Sequence, residues 1–275
     1  MSNQKPEIAN SIQTGAFKTN YHDYGTGFPV MLLHGSGPGV SAWANWRLVI
    51  PELSKNRRVV APDLSGFGYT ERVPGEEYNM DNWVKQAIDF MDALGIEQTD
   101  LVGNSFGGAL AIGLAVNYPN RFRKIVLMGS MGVDFPITEG LDSVWGYQPS
   151  FENMKKMLDL FVDNKKYAND ELAQLRYQAS IEPGFQESFG RMFPAPRQRS
   201  VEMMAKYEAQ IPSIKQPTLI VHGREDQVIP VDNAYKLINL IDNAQLHIYG
   251  HCGHWTQIEK NIYFARLIEN FLSEE

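Results

Sequence analysis

The chain has 275 residues, 43% of them hydrophobic, and 25 Lys and Arg against 32 Asp and Glu, a formal net charge of −7. That length buries a sizeable core, either as one large domain or as a domain with an insertion. The acidic balance and the lack of a long basic run argue against nucleic-acid binding, and an anionic ligand would need a local cation rather than a general field. The N-terminal "MSNQKPEIANSIQTG" is polar, without the apolar core of a signal peptide. No apolar run is long enough to span a bilayer, so no membrane partner is expected. One cysteine, Cys252, makes no internal disulfide. The expectation is a soluble cytoplasmic protein.

In chain order, "FKTNYHDYGTG" (17–27) alternates apolar and polar residues and predicts an antiparallel edge hairpin. Six apolar runs follow, each ending in Gly, Asp or Ser: "PVMLLHG" (29–35), "RRVVAPD" (57–63), "TDLVGNS" (99–105), "RKIVLMG" (123–129), "PTLIVHG" (217–223) and "AQLHIYG" (244–250). Their apolar residues are consecutive, as in strands buried on both faces of a parallel sheet. Helical patterns separate them. "MDNWVKQAIDFMDALG" (80–95) spaces Trp83, Ala87, Phe90, Met91 and Leu94 for one face, with Gly95 as a stop, and 232–241 and 261–272 read the same way. Strand–helix alternation predicts a mostly parallel α/β sheet. The rhythm breaks between Asp134 and Pro212. That stretch is helical, rich in Met, Leu and Phe, and ends in "RMFPAPRQRS". The predicted organisation is a core of 1–133 and 212–275 with a helical lid, 134–211, over the carboxyl ends of the strands, where open α/β sheets place ligands.

"LVGNSFGGALAIGLA" (101–115) carries the strongest chemical signal. A strand runs into Gly-Asn-Ser-Phe-Gly and then into a helix, the context a G-x-S-x-G nucleophile requires. Ser105 must sit in a strained turn, with small neighbours where strand and helix converge. The alternative is an ordinary glycine-rich turn. A serine hydroxyl needs a base and a group that orients the base, in the chain order Ser, acid, His. "LIVHGREDQVIP" offers Glu225 and Asp226 after a late strand. Asp226 is preferred, against a surface aspartate or helix cap.

"LHIYGHCGHWTQIE" (246–259) holds His247, His251, Cys252 and His254. His247 lies within the last strand and reads as a packing residue. His254 closes the following loop before a helix and is a better base than His251. A zinc site of His251, Cys252 and His254 lacks the paired spacing such sites show, so no metal is expected. Cys252 has no elbow and competes poorly with Ser105 as nucleophile. The oxyanion hole needs two backbone donors. Phe106 supplies one, and "HGSGPG" (34–39) the other through Ser36.

Together "HGSGPGVSAWANW", "GNSFGG", "VWGYQPSFENM", "LRYQASIEPGFQESF", "FPAPRQR", "GREDQVIP" and "GHCGHWTQIE" resemble the meta-cleavage product hydrolases of the α/β-hydrolase superfamily. The resemblance runs over nearly the whole chain. It implies the α/β-hydrolase fold and cleavage of a carbon–carbon bond in a small anionic dienol or keto acid, the ring-opening product of a catechol. It implies a triad of Ser105, Asp226 and His254, an oxyanion hole of Ser36 and Phe106, and no cofactor. It marks Asn45, Asn104, Arg176 and Trp255 as substrate-binding, and it goes with a homodimer or higher homo-oligomer. A planar guanidinium suits a carboxylate, but Arg191, Arg197 and Arg199 compete with Arg176. Met131, "VWGY" (144–147) and Phe106 are expected to wall the ketone end and favour small substituents over phenyl. A carboxylesterase or lactonase with the same triad, or a ligand-binding protein on this scaffold, are the alternatives, because fold alone does not settle function.

Overall fold

In the computed structural model, which describes residues 5–274, eight strands form one sheet in the order β1-β2-β4-β3-β5-β6-β7-β8. They are β1 (Asn10–Thr14), β2 (Phe17–Tyr24), β3 (Pro29–Leu33), β4 (Arg58–Pro62), β5 (Thr99–Asn104), β6 (Phe122–Met128), β7 (Thr218–Gly223) and β8 (Ala244–Tyr249). From β4 to β8 the pairing is parallel. All six runs of consecutive apolar residues are strands. The reason shows in the middle of the sheet: every residue of β5 is buried, as are Val30 to Leu33 of β3, so neither face of these strands meets solvent.

Both edges depart from the sequence reading. The antiparallel hairpin does not lie within 17–27. It joins β1 to β2 across a turn at Gly15, which takes φ +55. β2 is therefore interior, between β1 and β4, and its alternating burial reflects one polar face rather than an edge. The strand that opens the hairpin came from the polar N-terminal stretch, whose first four residues lie outside the described ones. At the far edge, β8 is half-exposed, and His247 packs against the Tyr249 ring at 4.2 Å instead of entering the core. An edge strand has a neighbour on one side only.

The helix Met80–Ala93 forms where the 3.6-residue spacing predicts. Asn79 caps it by accepting from the Asn82 N–H at 3.0 Å, and Trp83, Ala87, Phe90 and Met91 are buried. Each such large apolar side chain contributes roughly 1.5–3 kcal/mol. The helix Phe106–Asn117 is buried from Phe106 to Ala115, which explains why its sequence is apolar all round. Between β6 and β7 no strand forms. Five α-helices occupy that stretch: Glu139–Trp145, Phe151–Phe161, Asp170–Ser180, Phe185–Met192 and Gln198–Met204. Their apolar faces join the same core cluster as the sheet.

Candidate active site

The turn from β5 into the helix Phe106–Asn117 places Ser105 at φ 54, ψ −112, a left-handed conformation that a non-glycine residue rarely holds. Close packing explains the flanking glycines. A Cβ at Gly103 would meet the Gly107 carbonyl oxygen at 2.3 Å, and one at Gly107 would meet the Leu33 carbonyl oxygen at 2.2 Å. The turn is held by the Ser105 N–H donating to the Met128 carbonyl at 2.9 Å and by the Met131 N–H donating to the Ser105 carbonyl at 3.1 Å.

Asp226 and His254 meet as the strand order requires. His254 Nδ1 lies 2.7 Å from Asp226 Oδ2. Asp226 Oδ1 accepts the N–H groups of Val228 and Ile229 at 2.8 and 2.9 Å. Burial pushes the Asp226 carboxyl up, but the charges and hydrogen bonds of His254 and His222 outweigh it and hold the group below the ordinary carboxylate range. Ser105 Oγ and His254 Nε2 share no hydrogen bond, and in serine hydrolases without substrate such contacts tighten as the complex forms.

Glu225 is turned elsewhere, onto Arg224 and the Cys252 N–H. His251 is exposed, whereas Cys252 is fully buried, so the two point into different surroundings. Burial pushes the Cys252 thiol up to about 12, which leaves it unionised and a poor nucleophile.

Ser36, Asn45, Asn104, Arg176, His254 and Trp255 line one cavity beneath the inserted helices. The Ser36 and Phe106 N–H groups donate no hydrogen bond among the described residues, so both are free to serve an oxyanion. Asn45 Oδ1 accepts the Gly35 N–H at 3.2 Å, and Asn45 Nδ2 is buried without a partner. Asn104 Nδ2 donates to the Met128 carbonyl at 3.3 Å.

Two expected wall residues are placed differently. The Phe106 ring packs into the core on Trp83 and Phe67, at 4.7 and 5.5 Å, and Phe106 does not line the cavity. Met131 is 0% exposed and does not line this cavity. Trp145, by contrast, reaches the loop 34–39: its Nε1 donates to Ser36 Oγ at 3.0 Å.

Arg176 is buried, and its guanidinium donates to the Gly39 carbonyl. Burial lowers it to about 10; the charge of Glu7 acts against that shift and the charge of Arg47 with it. The competing arginines are engaged or outside. Arg197 pairs with Asp142 at 3.2 Å, Arg191 donates to the Glu76 carbonyl at 2.7 Å, and Arg199 is exposed.

Sequence reasoning missed Arg47. It lines the same cavity, is half-buried, and donates to the Ala44 carbonyl at 2.6 Å. The arginines that the sequence offered for a carboxylate all lie in the helical insertion. Arg47 follows the short helix Ala42–Trp46, two residues after Asn45, and that proximity was the available signal. Phe161 was also missed. Its ring stacks on Trp255 at 4.6 Å and lies 5.8 Å from His254, forming a roof. Glu259 fixes that roof, accepting the N–H groups of Gly253, Asp163 and Asn164 at 2.6, 3.2 and 2.8 Å.

A serine at a strained elbow, an Asp–His pair above it and a helix-covered cavity on a parallel sheet define a class of hydrolase. Residues 29–261 match the model of the α/β-hydrolase fold family, and the chain belongs to it. Its place within that family is among the meta-cleavage product hydrolases. It is 59% identical, over 98% of its length and 95% of the relative's, to the 2-hydroxymuconate semialdehyde hydrolase of Pseudomonas sp. (strain CF600). It is 53% identical, over all of both chains, to the 2-hydroxy-6-oxo-2,4-heptadienoate hydrolase of Pseudomonas putida strain F1. It also superposes, at TM-score 0.96 and 55% identity over 97% of this chain and 98% of the other, on a meta-cleavage product hydrolase from Pseudomonas fluorescens IP01, solved as a serine-to-alanine variant with acetates.

Proposed function

We propose that this protein hydrolyses the carbon–carbon bond next to the ketone of a 2-hydroxy-6-oxo-2,4-dienoate, or of 2-hydroxymuconic semialdehyde. The products are 2-hydroxypenta-2,4-dienoate and a small carboxylic acid, within aromatic hydrocarbon catabolism. One observation carries the reading. A single cavity has His254 and Ser36 beside the Ser105 elbow and two arginines, Arg176 and Arg47, among its other lining groups. A simple esterase needs the first set. A substrate that carries its own carboxylate needs both.

The residues divide the work accordingly. Arg176, with Arg47 beside it, holds the substrate carboxylate, and Asn45 and Trp255 flank the dienol. A carbon leaving group departs readily only after the dienol becomes the keto tautomer, because the electrons of the broken bond then pass into a conjugated enolate. His254 moves the protons and activates the attacking oxygen at Ser105. Asp226 holds the imidazole with Nδ1 protonated, which leaves Nε2 facing the site. The Ser36 and Phe106 N–H groups, with Asn104 nearby, receive the negative oxygen of the tetrahedral intermediate. No step calls for a metal or an organic cofactor.

Residues 134–211 serve as the lid over a core of 1–133 and 212–275; the Phe161–Trp255 stack supports this. The small-substituent preference rests on Trp145, which is bonded to Ser36 and stacked on Phe193 at 4.5 Å. Among the described residues no helix is long and apolar enough to cross a membrane. We take the enzyme to act in the cytoplasm as a homodimer or higher homo-oligomer. Exposed Tyr263, Ile262 and Tyr235, on helices that follow β7 and β8, support the association, which light scattering tests.

The deciding experiment mixes the protein with a yellow ring-fission product and with a neutral p-nitrophenyl ester. Bleaching of the first at a much higher kcat/KM is the expected result. Faster turnover of the ester would favour the esterase or lactonase reading.

A further inference from the structure

Asp226 has a second histidine. His222, at the end of β7 and 1% exposed in its side chain, puts Nε2 3.2 Å from Asp226 Oδ2 and 3.0 Å from the Ile229 carbonyl oxygen. Both neighbours are acceptors, so Nε2 must carry the proton. The ring's Nδ1 is buried without a partner, which suits an unprotonated nitrogen better than an unmatched N–H. Asp226 Oδ2 thus accepts from two imidazoles, His254 Nδ1 and His222 Nε2, while Oδ1 accepts two backbone N–H groups.

We propose that His222 is a positioning residue for the reaction: its Nε2–H fixes Asp226 Oδ2 on the His254 side and draws off part of its negative charge. The inference rests on the Ser105–His254–Asp226 reading of the site. Every acceptor position of Asp226 is filled, so the carboxylate cannot rotate away from His254. A carboxylate shared between two donors also stabilises an imidazolium at His254 less than an unshared one would. Removing the Nε2–H of His222 would therefore strengthen the hold of Asp226 on a protonated His254.

The other titratable groups packed around the pair are few. The Cys252 thiol stays protonated, its burial pushing it upward. Glu259 is occupied by three backbone N–H groups, and Glu225 faces Arg224. Neither carboxylate bonds to either histidine.

The test compares the unmodified protein with His222→Gln and His222→Leu. In the unmodified protein, nitrogen-15 NMR should find His222 neutral and protonated at Nε2 through the active pH range. A proton on Nδ1, or an imidazolium, overturns the proposal without reference to any variant. His222→Leu removes the donor. The acidic limb of its kcat/KM profile should move up by roughly half a pH unit or more, with KM nearly unchanged. The downfield proton signal of His254 Nδ1–H should shift with it. His222→Gln, whose amide nitrogen reaches the place of Nε2, should restore the limb. Equal loss of rate at every pH, or identical behaviour of the two variants, would make His222 a packing residue. If neither variant folds, the tautomer decides. Full activity in Ser105→Ala would sink the triad reading instead, and the His222 tautomer would stand apart from that failure.

Discussion

Arg47 and Arg176 line one cavity, and no carboxylate among the described residues pairs with either guanidinium. The buried Arg176 and the half-buried Arg47 carry like charges, and burial lowers both from the ordinary arginine value. An anionic ligand offsets those charges. Arg176→Gln should therefore lose about 2–5 kcal/mol in kcat/KM on the natural acid. Arg47→Gln should lose about tenfold, and more at low salt, because it is half-buried and screened in part. On a neutral ester both should lose little. Equal losses on acid and ester would leave Arg176 as a structural arginine of the inserted helices.

Ser105→Ala should abolish turnover while leaving ligand binding and fold intact. Removing a triad member costs on the order of 10⁴–10⁶ in rate. The hydroxyl makes no hydrogen bond that the fold depends on, and the strained backbone is held by the bonds to Met128 and Met131. Retention of more than a tenth of the activity would refute Ser105 as the nucleophile.

His254→Ala should be far more damaging than His251→Ala or Cys252→Ala. His254 alone of the three is bonded to Asp226. His251 is exposed, so its loss should change neither stability nor rate. Cys252 is fully buried, and truncating it should cost about 1 kcal/mol of stability with near-normal kcat. Comparable activity losses in all three, restored by added zinc, would revive the metal reading.

The chain announced its parallel strands because a strand with two covered faces carries a run of consecutive apolar residues, as Val30 to Leu33 do in β3 and Leu101 and Val102 do in β5. It announced the elbow for a similar local reason, since Gly103 and Gly107 have no room for a Cβ. Contacts between distant segments left no such trace. Arg47 reaches Arg176 across 129 positions of sequence only because the loop 34–41 packs on the helix Asp170–Ser180. The bond from Trp145 to Ser36 and the clasp of Glu259 on Asp163 and Asn164 likewise join residues that no periodicity relates. The edges were misread because alternation records one wet face, which an interior antiparallel strand such as β2 shares with an edge strand.

His34, next to the oxyanion loop, predicts an acid sensitivity. It is fully buried, accepts the Leu64 N–H at Nε2 and lies 2.8 Å from the Gly35 carbonyl through Nδ1. Both contacts fit a neutral ring. Burial lowers its pKa to about 4, and the bond to Gly35 opposes this only in part. Between about 6.5, where an unfolded histidine titrates, and about 4, the unfolded chain binds the extra proton. Stability from this group is present above 6.5 and falls as pH drops toward 4. From pH 7 to pH 5 the wild type should lose about 2 kcal/mol more than His34→Asn, which cannot titrate. Urea unfolding at the two pH values measures this. Parallel losses in both proteins would show that His34 is not the sensitive group.

Trp145 is bonded to Ser36 in the loop 34–39, and on the proposed reading, which brings the ketone end of the substrate to that loop, the bond predicts the size of the group accepted. Trp145 Nε1 donates to Ser36 Oγ at 3.0 Å, and the indole stacks on Phe193 at 4.5 Å with an interplanar angle of 4°. The ring is therefore fixed beside Ser36 on both its edge and its face. Val144 and Met131 are both 0% exposed in the same cluster. A wall so close-packed leaves little room, and each further methylene is discriminated by about 1–3 kcal/mol. Products ending in hydrogen or methyl, through ethyl, should have higher kcat/KM than the phenyl product. Met131 belongs to the same core cluster as Trp145, and its N–H is bonded to the Ser105 carbonyl. Met131→Ala should cost about 2–5 kcal/mol of stability and raise the phenyl-to-methyl ratio of kcat/KM about tenfold, as the wall relaxes into the vacated space. A phenyl product turned over as well as the methyl one by the wild type would overturn the size argument. An unchanged ratio in Met131→Ala would return Met131 to the core and leave the limit to Trp145, where Trp145→Phe, by freeing Ser36 and narrowing the indole, should widen it.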